Sequence, residues 1–250
     1  MEKIGDVAKR VAGQLSRAQT TPSGKSRPAG TDSGGTKKGT EEAMNQEDRA
    51  LQEELRAQMV RASGLPLETR GTMRLSTLKL RRGVKGLREA LEGARAVLGQ
   101  ELAWLTLCGT VGLGKTHIAV GIGWEWLQEG RVCRYAQVSR LLERLRRTYD
   151  FTPEQAFELR EPRFETVFGW YLDAPLLILD DLGTEKLTDW AAEKLDTLVD
   201  HRYIKGLPLV VTTNVPAAQL SSRIASRLQD HRLGRVVTLS GPDYRIQCEG

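Results

Sequence analysis

Apolar positions follow two different rhythms along this chain. In the first quarter they are sparse. Ile4, Val7, Val11 and Leu15 recur at spacings of three and four, which predicts a short amphipathic helix. Residues 20–40, rich in Gly, Ser, Thr, Pro and Lys, read as a flexible linker. The helical period returns over 41–62, with Met44, Leu51, Leu55 and Met59 on one stripe, and Gly64 and Pro66 stop it. Two such helices are too small to bury a core. They read as partner-docking elements or as arms packed on a main domain. From about residue 67, apolar runs alternate with helical patterns, the mark of an α/β fold with a mostly parallel sheet. The predicted strands are 103–108, 132–137, 176–179, 209–213 and 235–239. The predicted helices are 83–98, 116–128, 139–149, 153–171, 188–204 and 217–229, the last with a break near Ser221. The chain therefore divides into an N-terminal arm, 1–62, and a domain, 63–250.

Composition narrows the class. Hydrophobic residues make up 40% and charged residues 28% of the 250, as in a soluble globular protein. No apolar run approaches the roughly 20 residues that cross a bilayer. Residues 1–17 lack the apolar core of a signal peptide and carry Glu2 and Asp6, unlike a transit peptide, so a cytoplasmic location is expected. Cys108, Cys133 and Cys248 are isolated and read as incidental thiols rather than a metal site or a disulfide framework. The net charge of +5 is uneven. Eight basic residues lie between Arg70 and Arg95 against Glu89 and Glu92, either a footprint for nucleic acid or a solvated helix face.

One stretch carries explicit chemistry. Gly109-Thr110-Val111-Gly112-Leu113-Gly114-Lys115-Thr116 reads G-x-x-x-x-G-K-[ST], between a predicted strand and a predicted helix. Glycines let backbone N–H groups turn inward to form a nest for phosphate oxygens. The following helix adds its positive end. Lys115 can reach the β and γ phosphates, and the Thr116 hydroxyl can hold Mg²⁺. Residues Gly109 to His117 are taken as the ATP-binding segment. The apolar run 176–179 ends in Asp180 and Asp181, at the carboxyl edge of a parallel sheet beside that loop. Asp180 is expected to hold Mg²⁺ through water and Asp181 to polarise an attacking water. The strand 209–213 leads to Asn214, placed to orient that water or to cap the next segment before Pro216. Arg223 and Arg227 sit four apart on one helix face. They read as arginines offered to a neighbouring subunit's ATP, with Arg227 ahead, or as a surface ion pair, for example with Asp230.

Gly114-Lys115-Thr116-His117-Ile118-Ala119, Asp180-Asp181-Leu182-Gly183, Thr212-Thr213-Asn214 and Arg223 through Leu228 occur in order. Together they resemble the AAA+ ATPases of the DnaC/IstB type, which include helicase loaders and the ATPase subunits of some transposition systems. The resemblance covers about 63–245. It implies an AAA+ domain in which Lys115 and Thr116 bind phosphate and Mg²⁺, Asp180 binds Mg²⁺, Asp181 activates water, Asn214 is the first sensor and Arg227 is a finger acting in trans. The run Gly241 to Arg245 looks like the family's G-x-D-Y-R, and the 22 residues after Leu228 fit a branch without the usual helical lid. Some helicase loaders carry a cysteine-rich zinc module at the N-terminus; this chain has no cysteine before Cys108.

Residues 139–149 hold Arg140, Arg144, Arg146 and Arg147 opposite Leu141, Leu142 and Leu145, with Tyr149 and Phe151 following. Basic residues among aromatics suit single-stranded nucleic acid. The plainer reading is a packed helix with a solvated arginine face. In the family this segment lines the inner face of the oligomer, so Arg140, Arg144 and Arg147 become the DNA candidates. The expected protein is an oligomeric ATPase that grips single-stranded DNA and holds a ring-shaped replicative helicase through its arm. A second reading is a transposition ATPase that assembles on duplex DNA, bends it and recruits a transposase. A third is a nucleotide switch with negligible hydrolysis.

Overall fold

The computed structural model describes residues 46–81, 83–183, 188–216 and 219–243. The helix expected near the N-terminus, the linker over 20–40, Cys248 and the Tyr-Arg of the last motif lie outside them. The elements are α1 (Gln46–Ser63), two single 3₁₀ turns (Leu67–Thr69 and Leu75–Thr77), α2 (Leu87–Leu98), β1 (Trp104–Cys108), α3 (Lys115–Gln128), β2 (Arg134–Gln137), α4 (Val138–Tyr149), α5 (Pro153–Glu158), α6 (Phe164–Leu172), β3 (Leu177–Leu182), α7 (Asp189–Lys205), β4 (Leu209–Thr213), α8 (Ser222–Leu228) and β5 (Gly234–Thr238). The strands form one parallel sheet in the order β2-β3-β4-β1-β5.

Strand alternation decides the layers. Leu105, Leu107, Ile178, Val210 and Val237 face one side and pack with α2, α3 and Leu65. Trp104, Leu177, Leu179, Leu209 and Val211 face the other and pack with α4, α6, α7 and α8. A sheet covered on both faces explains why its central strands read as unbroken apolar runs. No described helix is long and apolar enough to cross a membrane.

Three elements depart from the sequence pattern by more than two residues. The helix expected over 153–171 is two helices, α5 and α6. Arg160 is left-handed (φ 53°) and the Glu161 N–H donates to the Ala156 carbonyl at 3.0 Å, closing α5. Pro162 then keeps Glu161 out of the helical region. The helix expected from 83 starts at Leu87, because Lys85 instead pairs with Ser240 in an antiparallel bridge (2.8 Å). The break expected near Ser221 falls at the start of α8, where the Ser221 hydroxyl accepts the Ile224 N–H. Finally, β3 continues to Leu182 rather than ending at Leu179.

Arg202, on α7, is fully buried and donates to four carbonyls: Tyr171 (3.1 Å), Leu172 (3.0 Å), Ala174 (2.8 Å) and Pro208. Burial draws its pKa down to about 9, with Asp173 opposing the shift. The guanidinium joins the end of α6 to the segment entering β4 and meets the carbonyl-rich end of a helix. Arg202→Met would remove this donor from the buried carbonyls of Tyr171, Leu172 and Ala174, while Pro208 would still accept the Leu177 N–H (3.1 Å). It is expected to cost about 3–5 kcal/mol in urea unfolding; a loss below ~1 kcal/mol would remove this joint from the account.

Candidate nucleotide-binding site

The loop between β1 and α3 is built on glycine conformations. Gly109, Gly112 and Gly114 have φ of 141°, 74° and 93°. A Cβ at Gly109 would lie 2.2 Å from the Leu239 carbonyl oxygen, so no other residue fits there. Leu113 is buried and pins the loop to the core, while Val111 stays exposed. No side chain caps the first turn of α3, and its N-cap is Gly114. Its first N–H groups are thus available to an anion. Lys115 is 5% exposed, and its Nζ donates to the carbonyls of Gly109 (2.7 Å) and Thr110 (2.6 Å).

Asp180 lies beside this loop and is 3% exposed. Hydroxyls from three elements converge on its carboxylate. Thr116 of α3 donates to Oδ1 at 3.0 Å, Thr212 of β4 donates to Oδ1 at 2.6 Å, and Tyr135 of β2 donates to Oδ2 at 2.8 Å. Burial, and then the neighbouring carboxylate of Asp180, push the Tyr135 phenol far above its ordinary pKa, so it remains a donor. Thr212 serves twice, because its Oγ1 also accepts the Asp181 N–H at 2.9 Å. The β3–β4 register shifts between Leu179 and Leu182, and Asp181 there has φ 61°. The Thr212 hydroxyl replaces the ladder partner lost at that bulge. Asn214 Nδ2 donates to Asp181 Oδ1 at 3.2 Å. The expected group of Lys115, Thr116, Asp180, Asp181 and Asn214 is therefore assembled at one edge of the sheet. Its donors suit ATP with Mg²⁺: a glycine cradle at an uncapped helix end, a lysine, and hard oxygen atoms from Thr116 and Asp180.

Other candidates are placed differently. The His117 ring Nε2 is 2.8 Å from the Arg74 carbonyl and 3.2 Å from Thr77 Oγ1. It ties the segment before α2 to α3, as does Glu125, which accepts the Leu75 N–H. Arg227 lies on α8, in the layer opposite α3. It pairs with Asp200 of its own chain, donates to the Arg223 carbonyl (3.2 Å) and stands 5.5 Å from the Tyr203 ring. Asp230 is taken instead by Tyr203 and Arg232, both at 2.7 Å. Arg223, Arg227 and Arg232 line an open cavity of about 510 Å³. Arg140, Arg144 and Arg147 occupy the exposed face of α4, while its leucines are buried. Arg144 stands 5.4 Å from the Trp170 ring, and Arg147 is 3.5 Å from Glu161. Tyr149 is 57% exposed, yet it already meets Phe164 and Trp190 edge-on.

Thr212 belongs to the Thr212-Thr213-Asn214 run, whose pattern alone gives it no role of its own. Tyr135 and Trp170 carried no local signal, since only strand order and helix packing bring them to these positions. Thr212→Val removes both the donor to Asp180 and the acceptor for the Asp181 N–H. It is expected to lower unfolding stability by about 2–3 kcal/mol, with Thr212→Ser recovering most of it. Equal stability of the valine variant and the parent would contradict the bulge account.

A model of the IstB-like ATP binding protein family matches residues 41–240. An ATP-binding protein in an insertion sequence of Mycobacterium tuberculosis is 30% identical over 148 residues, covering 56% of this chain and 54% of that protein. The ATP-binding protein of insertion sequence IS5376 from Geobacillus stearothermophilus is 26% identical over 148 residues, with the same coverages. The chromosomal replication initiator protein DnaA of Gloeobacter violaceus is 29% identical over 144 residues, covering 57% of this chain and 30% of that protein. The chain thus spans about half or less of these relatives' length. Among solved structures, the DnaC helicase loader superposes with a TM-score of 0.57 at 23% identity, covering 69% of this chain and 99% of that one. DnaI gives 0.56 at 23% identity, with coverages of 73% and 98%. These likenesses show the fold alone: an α/β domain built on a mostly parallel sheet.

Proposed function

Because the chain belongs to the IstB-like ATP-binding protein family, we propose that it is an ATP- and Mg²⁺-dependent ATPase that assembles on DNA as a homo-oligomer and loads a ring-shaped replicative helicase. The observation that carries the nucleotide chemistry is the Thr116 hydroxyl 3.0 Å from the buried Asp180 carboxylate, beside the uncapped end of α3. Bound ATP and Mg²⁺ supply a phosphoanhydride to cleave and a divalent charge that offsets the developing negative charge. Lys115 leaves the carbonyls of Gly109 and Thr110 for phosphate oxygens, and the cradle from Gly109 to His117 takes the remainder through backbone N–H groups. Thr116 and Asp180 hold the metal. Asp181 orients the attacking water, and Asn214 keeps Asp181 in place and reads the γ position. Arg227 leaves Asp200 to reach the adjacent subunit's site, which makes turnover depend on assembly. Slow turnover, stimulated by DNA or partner, is expected.

DNA is assigned to Arg140, Arg144 and Arg147, with single strands favoured because the exposed guanidiniums of α4 lie among aromatic rings. The partner is assigned to the arm. Residues 49–54 of α1 are all exposed, and Leu51 is 60% exposed. Relatives in insertion sequences support a second reading, in which the partner is a transposase and the DNA is duplex. Co-elution of the full chain with the host's replicative helicase in ATP and Mg²⁺, lost in Leu51→Asp, is the outcome expected of a loader. No complex with the helicase, together with bending of duplex DNA, would favour the second reading.

The shared site has its own test. Arg227→Ala should bind ATP normally and lose about 10³-fold in turnover as a finger variant. Asp181→Asn should also bind and fail to turn over. Mixing the two should restore turnover, because the mixture forms interfaces with both groups intact. A mixture as inactive as its components would overturn the action of Arg227 in trans.

A further inference from the structure

We propose that Tyr135 is a positioning residue for the metal-bearing Asp180, and that it couples the seating of α1 to the metal site; this rests on the ATP and Mg²⁺ reading above. Thr116 and Thr212 both donate to Oδ1, and among the described residues Tyr135 is the donor to Oδ2. Rotation of the carboxylate about its own bond is therefore limited on the Oδ2 side by one phenol. A buried carboxylate oxygen without a donor loses a charge-assisted hydrogen bond and gains freedom to turn. A metal ligand held by a neighbouring group binds its ion more tightly than the same ligand unrestrained.

The backbone around Tyr135 is in turn fixed by the end of the arm helix. Arg134 Nη1 donates to the Ala62 carbonyl at 2.6 Å, in the last turn of α1. The next residues approach the strand directly. A Cβ on Gly64 (φ 72°) would lie 2.7 Å from the Tyr135 carbonyl oxygen. Leu65 is buried against Gly123 of α3. Arg134 is also held 5.0 Å from the Trp170 ring. The junction of α1 with the domain thus grips β2 at the two residues that set the reach of the phenol. Tyr135 lies on an edge strand paired on one side only, with β3, so this grip replaces the restraint of a second neighbouring strand. A load on the exposed half of α1 passes through Ala62 and Gly64 to Tyr135 and then to Oδ2 of Asp180. By reciprocity, the metal-bound state favours a seated α1.

The test uses the full chain, a fluorescent ATP analogue and Mg²⁺. Analogue affinity is measured in EDTA and across a Mg²⁺ titration. Tyr135→Phe should leave affinity in EDTA unchanged and raise the Mg²⁺ concentration for half-effect about tenfold. Unchanged Mg²⁺ dependence would overturn the positioning role, as would equal losses with and without Mg²⁺. Arg134→Met should shift Mg²⁺ dependence in the same direction. Added to Tyr135→Phe, it should produce no further shift, whereas fully additive shifts would overturn the coupling. Failure of the parent protein to bind the analogue at all would instead defeat the underlying reading. Tyr135→Phe preserves the ring, so its result does not depend on the folding of the Arg134 variant.

Discussion

The Asp180 carboxylate ties α3, β2 and β4 together at one edge of the sheet. A buried negative charge requires donors, and here they come from residues 116, 135 and 212. Strand order makes that possible. β3 lies between β2 and β4, so Tyr135 and Thr212 flank Asp180 from either side. The loop from β1 then delivers Thr116 over the same edge. Parallel strands place all these carboxyl ends together, the general location of ligand sites in open α/β sheets. The left-handed Asp181 is a consequence of the same packing: the bulge that turns Asp180 inward leaves an N–H that Thr212 satisfies.

The two layers divide the work around that edge. The layer of α3 carries the phosphate loop and is strapped by the segment that His117 and Glu125 hold. The opposite layer carries α4, with its exposed arginines, and α8, with Arg227. In the proposed assembly the first layer of one subunit therefore meets the second layer of the next. In that proposal Arg227, paired with Asp200 of its own chain, would leave it for a neighbour's phosphate. Arg202 holds the second layer together from inside, at the junction of α6, α7 and the entry to β4.

The sequence displayed groups whose chemistry is contiguous. Gly109 to Thr116 is one uninterrupted motif, and Asp180, Asp181 and Asn214 each follow an apolar run that reads as a buried strand. Tyr135 was invisible because β2 is short and half polar, and its phenol matters only once β2 is known to lie beside β3. His117 follows Thr116 directly, yet a helix turns successive side chains by about 100°, which sends its ring toward Arg74. The break between α5 and α6 did have a signal in Pro162. The apolar spacing of Val167, Phe168 and Tyr171 extended the apparent helix across it. Arg227 reads as an arginine for a partner's site or as half of a surface ion pair with Asp230, and the local pattern holds no sign of its actual partner Asp200, which comes from a different helix.

The most direct test of the central assignment is to locate the metal. Crystals of the full chain would be grown with a non-hydrolysable ATP analogue and Mn²⁺, and the anomalous signal of manganese mapped. The account predicts one peak bound to Thr116 Oγ1 and facing the Asp180 carboxylate, with Lys115 Nζ moved off the Gly109 and Thr110 carbonyls onto phosphate oxygens. A bound analogue with manganese away from Thr116 and Asp180, and with Lys115 still on those carbonyls, would contradict it.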